Sequence, residues 1–456
     1  MKTILFDPLP STGHVNSFLR MASYLRGIGY RCVFIGSAAY SEMVTSLGFE
    51  YEMINPFVVR NEKMQLKEKG WFYFLLESMV GTRNKILKEE LAFNSNLYTA
   101  SINKINPHLI ILDDQYSYKA FFYSTFKLPI VLLQTKVNPL RAKGIPPFQS
   151  HHVPDDSLWS KTVVIFSWMS LLVKKQILRS FFYLISLSNT STKFLKNRFR
   201  DSGYTIEKDR CFLTGIKELP LVMASPRVFD FPRPGSKDVY HFFKASKPGD
   251  EVQDQRLKSI VDKKKADGDK IIYVSLGTVT KKYERTCTRF YNKLFKAASK
   301  LSDGYFIVSV GAEYDISMLA DKPNNVSIFQ QVPQKEILSS VDIMFSHGGM
   351  NSVMECINAE VPMIILPLSL DWDQPGNGAR VAYHGLGICS KLRSITPGMI
   401  VKLILKLSEN ISAYKKNLID FKKLVARQSI DDMKEFEQLI ERSVEKKEQI
   451  EMKGES

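Results

Sequence analysis

The groups best suited to hold an anion and a polyol together lie between Phe345 and Asn377. Phe345-Ser-His-Gly-Gly-Met-Asn-Ser-Val-Met-Glu355 leads into Val361-Pro-Met-Ile-Ile-Leu-Pro367 and then Asp373-Gln-Pro-Gly-Asn377. Gly348 and Gly349 free the backbone for a tight turn. Asn351 and Ser352 are good helix N-caps, and Glu355 follows Ser352 at capping-box spacing. Unpaired N–H groups and the helix dipole at such a start attract phosphate. An ordinary capped turn accounts for Ser352 and Glu355. It does not account for His347 before two glycines, or for the acid–amide pair Asp373 and Gln374. A carboxylate accepts from two hydroxyls while an amide both accepts and donates, so that pair suits a sugar.

Two further places carry chemistry. His14 stands in Pro10-Ser-Thr-Gly-His-Val-Asn16, after the first apolar run. Histidine titrates near neutrality and suits proton transfer, although position alone marks this one. Asp113 and Asp114 end a second run. Successive strand residues point to opposite faces, so only one of them can reach His14. Val274-Ser-Leu-Gly-Thr278 ends a third run, where Gly277 permits close approach and Thr278 with its backbone can bind phosphate.

These groups need a frame. Val341 to Phe345 reads as a strand, Ser352 to Ala359 as a helix and Val361 to Pro367 as a strand, with the glycine loop at the carboxyl end of the first. Open α/β sheets take ligands there. In the N-terminal half, strands are predicted at Lys2 to Phe6, Cys32 to Ile35, Leu109 to Leu112 and Ile130 to Leu133. Helices are predicted between them, at Val15 to Arg26 and Gln115 to Phe126. A second series starts at Ile271 to Ser275 and runs through Phe306 to Val310, Ile343 to Phe345 and Met363 to Leu366. Short apolar strands alternating with helices imply parallel sheets covered on both faces. Asp230-Phe-Pro-Arg-Pro-Gly-Ser236 reads as the connection between two halves. The expected fold class is α/β, two Rossmann-like doubly wound domains with a cleft between them. The expected division is 1–235, 236–430 and a charged tail, 431–456, that is solvated and frays.

The stretch from Ser346 to Asn377 resembles the donor-binding motif of UDP-sugar glycosyltransferases with the GT-B fold. Asp373-Gln-Pro-Gly-Asn-Gly-Ala-Arg380 is similar to the bacterial branch of macrolide and zeaxanthin glucosyltransferases. The resemblance implies that His347, Gly348 and Gly349, Asn351, Ser352 and Thr278 lie around the diphosphate. It implies that Glu355 holds the ribose and that Asp373 and Gln374 hold the sugar. Val332 and Gln334 fall where the family holds the uracil. His14 becomes the general base and Asp113 its partner, the latter aligned from Pro107. The chain departs from the pattern in four places. Gln331-Val-Pro-Gln334 lacks the usual Trp, Glu360 replaces a Gly, Ser17 replaces a Pro, and the Leu370-Asp-Trp372 stretch is slightly longer. Asp371-Trp-Asp373 mimics a metal-binding motif, but the metal-free reading is preferred and no cofactor is expected.

Composition bounds the rest. The chain has 456 residues, 44% of them hydrophobic, and a formal net charge of +16, which favours anionic partners. No nucleic-acid motif accompanies that charge, and no Gly-x-Gly-x-x-Gly follows a strand, so nucleic acid and a nicotinamide dehydrogenase are both disfavoured. Cys32, Cys211, Cys287, Cys356 and Cys389 are scattered, as expected of reduced thiols. The first residues read as passing straight into a strand, so no leader peptide is expected, and no apolar run is long enough to span a bilayer. Residues 163–185 are apolar, aromatic and flanked by Lys174-Lys175. They read as two buried helices on the N-terminal sheet, or as an acceptor lid or membrane-dipping surface. The expected activity is inverting transfer of a hexose, glucose by default, from a UDP-sugar to a hydroxyl of a hydrophobic acceptor such as a carotenoid, sterol or polyketide. The alternatives are a cell-envelope lipid glycosyltransferase and a catalytically silent binding protein of the same fold. The expected location is cytoplasmic, with peripheral contact at the inner face of the membrane as an open possibility.

Overall fold

The computed structural model describes residues 1–54, 96–186, 202–207, 209–211, 215–233, 238–244, 254–277, 283–319 and 321–454, with backbone alone at 178–186 and 448–454. Two parallel sheets organise the chain. The first contains β1 (Thr3–Asp7), β2 (Arg31–Gly36), β3 (Glu50–Met53), β4 (Leu109–Asp113), β5 (Ile130–Gln134), β8 (Leu221–Met223) and β9 (Val239–His241), in the order β3-β2-β1-β4-β5-β8-β9. β6 (Ile206–Glu207) and β7 (Gly215–Ile216) form a separate antiparallel pair. The second sheet contains β10 (Lys270–Ser275), β11 (Gly304–Ser309), β12 (Val326–Phe329), β13 (Ile343–Ser346), β14 (Met363–Ile365) and β15 (Gly387–Cys389), in the order β12-β11-β10-β13-β14-β15.

The strands β1, β4, β5 and β11 are buried along their whole length, as expected of sheets covered on both faces. On one face of the first sheet Phe6 stacks on Phe34 at 5.0 Å and meets Phe18 edge-on at 6.4 Å. Phe18 comes from helix α1 (Thr12–Gly27), whose buried Val15, Phe18, Leu19, Ala22 and Leu25 repeat at helical spacing. Other helices are α2 (Leu158–Ser186), α3 (Gln255–Ala266), α4 (Glu284–Ala298), α5 (Met350–Ala359), α6 (Gln374–Tyr383), α7 (Pro397–Glu409) and α8 (Ile411–Gly454).

Each sheet reverses its direction of growth once. The first reverses between β1 and β4, the second between β10 and β13. At such a reversal the loops leaving neighbouring strands part to opposite faces and leave a crevice. His14 follows β1, Asp113 ends β4, Gly277 follows β10 and His347 follows β13.

Several expectations need correction. The stretch after Asp113 is not one helix. It is a 3₁₀ segment (Asp114–Lys119), one α turn (Ala120–Tyr123) and a second 3₁₀ turn (Ser124–Phe126), with a non-helical Tyr116 inside the first. Residues 163–185 are not two helices on the N-terminal sheet. They belong to the single helix α2, whose Val164 and Trp168 join a cluster with Phe148, Cys211, Tyr273 and Met350 from both halves. β9 lies beyond residue 235 yet completes the first sheet. The charged C-terminal stretch is anchored: Phe436, Leu439, Ile440 and Val444 of α8 are buried in the core of the first half. Their spacing of three, four and eight is a helical stripe that a Lys- and Glu-rich composition concealed.

Glu360 ends α5 with φ 59° and ψ 34°, the left-handed conformation that costs a side-chain-bearing residue about 1 kcal/mol. Its carboxylate accepts from Lys422 at 2.7 Å, a pair that is more than a third exposed on each side. Such a pair contributes little. Glu360→Gly should therefore stabilise the protein by about 0.5 kcal/mol, read as a higher urea midpoint. A lower midpoint would show that the Lys422 contact outweighs the backbone strain.

Candidate active site

His14 is buried near the start of α1, and its Nδ1 lies 2.6 Å from Oδ2 of Asp113. Asp113 also accepts from the backbone N–H groups of Leu9 at 3.2 Å and Gln115 at 3.0 Å. Burial pushes the Asp113 carboxyl up, but His14, the Gln115 N–H and the charge of Lys136 together hold it below its ordinary value. The carboxylate thereby fixes one tautomer of His14, with the proton on Nδ1 and the lone pair on Nε2. Asp114 faces elsewhere. It accepts from Arg210 and, at 2.6 Å, from Gln134 Nε2, so alternation along the strand separates the two acids.

Three groups that sequence reading missed surround the His14 ring. Gln115 Nε2 is 3.1 Å and Lys136 Nζ 3.2 Å from His14 Nε2, and Thr135 Oγ1 is 3.2 Å from Nδ1. Thr135 and Lys136 leave the carboxyl end of β5, a strand end that the crevice rule would have flagged. Lys136 Nζ also lies over the Trp372 ring, 5.2 Å from its centroid. Burial lowers the Lys136 pKa, opposed by the charges of Asp373, Asp113 and Asp114. This side chain therefore touches the chemistry of both halves. Beside the loop that carries His14 lies a cavity lined by Pro8, Pro10, Val15, Ile35, Tyr40 and Tyr51, among others.

The opposite wall is built around His347, packed between two glycines. A Cβ on Gly277 would come within 2.5 Å of its ring, and one on Gly349 within 2.6 Å. Nothing larger than glycine fits at either position. Burial lowers the His347 pKa to about 4 against the opposing charge of Asp373. The ring is thus neutral, and its buried Nδ1 has no hydrogen-bond partner. Buried polar atoms are normally satisfied, so this one is a place where a ligand belongs. Gly348 has φ 84°, and its carbonyl accepts from Asn377 Nδ2 at 2.9 Å.

The expected capping box does not form. Gly349 is the N-cap of α5 and contributes no side chain, so the first N–H groups of the helix are not capped by Ser352. Instead Gln334 Nε2 reaches both Ser352 Oγ at 3.2 Å and Glu355 Oε2 at 2.7 Å. Burial raises the Glu355 pKa, moderated by Gln334, Lys335 and Arg20. Val332, half-buried, packs against the cluster shared by the two halves. Gln374 is also more constrained than an amide that both accepts and donates. Its Oε1 already accepts from Leu368 and Ser369 N–H groups, each at 2.8 Å, which leaves Nε2 to donate. Asp373 accepts from Asn377 at 2.8 Å through Oδ2. Thr278 lies outside the described residues.

Asn351 joins the walls. It accepts from Arg20 Nη2 of α1 at 3.0 Å, and its Nδ2 lies 3.5 Å from the Gly13 carbonyl, one residue before His14. Arg20 was not anticipated either; it sits three residues past the unusual Ser17 and brings a buried cation toward Glu355. Among the described residues no group of three or more His, Cys, Asp or Glu side chains could hold a metal ion.

Comparison with known proteins bears on the fold and the family. Residues 293–427 match the erythromycin biosynthesis protein CIII-like (EryCIII-like) C-terminal domain. The chain is 34% identical over 151 residues to NDP-glycosyltransferase YjiC of Bacillus subtilis, covering 33% of this chain and 36% of that protein. It is 29% identical over 118 residues to zeaxanthin glucosyltransferase of Pantoea ananas, covering 25% and 26%. The aligned stretches thus span about a third or less of these relatives. The solved glycosyltransferase of kitacinnamycin superposes with a TM-score of 0.64 at 17% identity, over 97% of this chain and 99% of that one. Glycosyltransferase VinC in complex with DTDP gives 0.59 at 15% identity, over 98% and 100%. The chain therefore has the GT-B fold of these glycosyltransferases, with an EryCIII-like C-terminal domain at residues 293–427.

Proposed function

We propose that the protein is an inverting glycosyltransferase that moves a hexose, glucose first, from a UDP-sugar to a hydroxyl of a hydrophobic small molecule. One observation carries this reading: a His–Asp pair at one sheet's crevice is joined through Gly13 and Asn351 to a glycine loop with an unpartnered neutral histidine at the other. The first pair is suited to take a proton, the second to receive a diphosphate. The EryCIII-like match and the names of the relatives support the same class.

In the proposed reaction, Nε2 of His14 takes the acceptor's hydroxyl proton. The freed oxygen forms a bond to the anomeric carbon from the face opposite the diphosphate, and the bond to UDP breaks with its electron pair. Asp113 stabilises the resulting imidazolium. Charge on departing UDP falls on N–H groups of Gly348, Gly349 and the uncapped start of α5, and on the His347 ring N–H. Because His347 is neutral, it contributes a dipole and a hydrogen bond before the donor arrives, not a full charge. Gln374 donates to a sugar hydroxyl and Asp373 accepts from one. Glu355, placed by Gln334, accepts from the ribose, and Val332 lies along the base. Ser352 and Thr278 complete the phosphate shell. No metal or cofactor enters these steps.

Lys136 adds a testable feature. Its Nζ lies 3.2 Å from Nε2 of His14, the atom proposed to take the proton. Lys136→Met should therefore lower kcat about tenfold or more while UDP binds within a few-fold of its original affinity. An unchanged kcat would remove Lys136 from the catalytic step. The function itself is tested by incubating the protein with UDP-glucose and a mixture of carotenoid, sterol and polyketide alcohols, and by weighing products with mass spectrometry. A hexose adduct supports the reading. The absence of both product and UDP binding would return the protein to a silent binding role.

A further inference from the structure

Helix α2 presents a face that no described residue covers. Its inner side is held down: Trp168 Nε1 donates to the Ile145 carbonyl at 2.7 Å, and Lys175 Nζ donates to the Arg210 carbonyl at 2.8 Å. On its outer side Trp159 is 75% exposed, Phe166 64% and Ile177 62%, and Ile165, Met169 and Val173 are each more than half exposed. At about 100° per residue these six side chains fall within an arc of about 120°, opposite the buried Ser160, Val164 and Trp168. Lys161 borders the arc on one side and Lys174 on the other. The helix sequence contains no Asp or Glu, although Asp155 and Asp156 precede it.

We propose that this face docks on a bilayer bearing anionic lipid, lying in the interface with its aromatic and aliphatic side chains below the headgroups. Charge decides between occupants. A second copy related by a two-fold axis would bring lysine-edged helices of the same sign together. An anionic surface instead pairs with both lysines and with the net charge of +16. None of the described helices is long and apolar enough to cross a membrane, so the contact is peripheral. The opposite, inner face of the same helix packs toward the candidate active site. Trp168 seats on Ile145, and the Phe148 carbonyl three residues on accepts from the Gly376 N–H at 2.8 Å in the first turn of α6, beside Asp373 and Gln374. A Cβ on Gly376 would come within 2.2 Å of that carbonyl. Docking therefore holds against the bilayer a helix whose inner face braces the segment that meets α6. The proposal deepens the hydrophobic-acceptor reading, but its test needs no sugar donor and can fail without affecting sugar transfer.

The full-length protein is floated with vesicles of phosphatidylcholine alone, or of phosphatidylcholine and phosphatidylglycerol in equal parts. It should bind the anionic vesicles at least roughly tenfold more strongly, with Trp fluorescence shifted to shorter wavelength. Trp159→Ser with Phe166→Ser should lower partitioning at least roughly tenfold. Lys161→Gln with Lys174→Gln should lower it about tenfold for anionic vesicles and little for neutral ones. Both pairs are surface changes and should leave circular dichroism unaltered. No binding to anionic vesicles, or binding untouched by the Trp159 and Phe166 changes, overturns the proposal. So does a dimer in solution that this pair of changes dissolves while vesicles are ignored.

Discussion

Replacing His14 with Ala lowers kcat by about 10²–10⁴-fold while UDP binds within a few-fold of its original affinity. The split follows from where the side chain stands. His14 contacts Asp113, Gln115, Thr135 and Lys136, all in the first half, and none of the groups proposed to hold the diphosphate. Its loss therefore removes the proposed proton acceptor and spares the donor wall. Asp113→Asn provides the companion measurement. An amide can accept from Nδ1 or donate to it, and it cannot neutralise the imidazolium, so kcat falls steeply with little change in KM. Titration of UDP by calorimetry, alongside initial rates, separates binding from chemistry. A His14→Ala enzyme with full transfer activity would end the general-base assignment.

The largest expected loss of stability is at a buried ion pair between the halves. Arg380, 1% exposed, donates to Asp230 Oδ1 at 2.5 Å through Nη2 and at 2.9 Å through Nε, and its guanidinium lies 4.3 Å from the centre of the Phe231 ring. Arg380→Ala strands the buried Asp230 carboxylate, with only Arg233 at 2.9 Å to compensate it. Removing one partner of a buried pair typically costs about 3–5 kcal/mol. The triple change Arg380→Met, Arg233→Met and Asp230→Leu should cost clearly less, because it removes all three charges of the cluster and leaves none alone. Urea midpoints of the two variants and of the parent protein decide the point; equal losses would mean that Arg380 acts through packing. The pH dependence has a definite sign. Burial pushes the Asp230 carboxyl up, but Arg380, Arg233 and the Phe231 N–H bring it below its ordinary value. A depressed carboxyl contributes fully above its unfolded pKa of about 3.9 and loses that contribution as pH falls through the folded value.

The sequence was most legible where one element carries its own signal. The glycines before α5, the apolar strand runs and the acid–amide pair at Asp373 and Gln374 are local patterns. Because strands enter and leave a doubly wound sheet in a fixed sense, their ends could be assigned to one edge before any contact was known. Groups brought in from afar were not legible. Lys136 reaches Trp372 and Asn351 reaches Gly13 across hundreds of residues. Gln334, not the helix's own cap, took Ser352 and Glu355, since a partner from another loop competed successfully for both. The C-terminal helix failed for a different reason. Counting charges averaged away four apolar positions whose spacing was the informative quantity.

The C-terminal helix also governs how the cleft can open. The chain passes between the halves once after β9 and again along α8, which buries Leu418, Phe421 and Val425 with the second half and Phe436, Leu439 and Ile440 with the first. Arg227, between β8 and β9, ties the first half to α8: its Nε donates to Asp432 at 2.7 Å and its Nη2 to Glu435 at 2.6 Å. α8 is thus one unbroken helix seated in both halves, so any movement of one half against the other must carry or bend it.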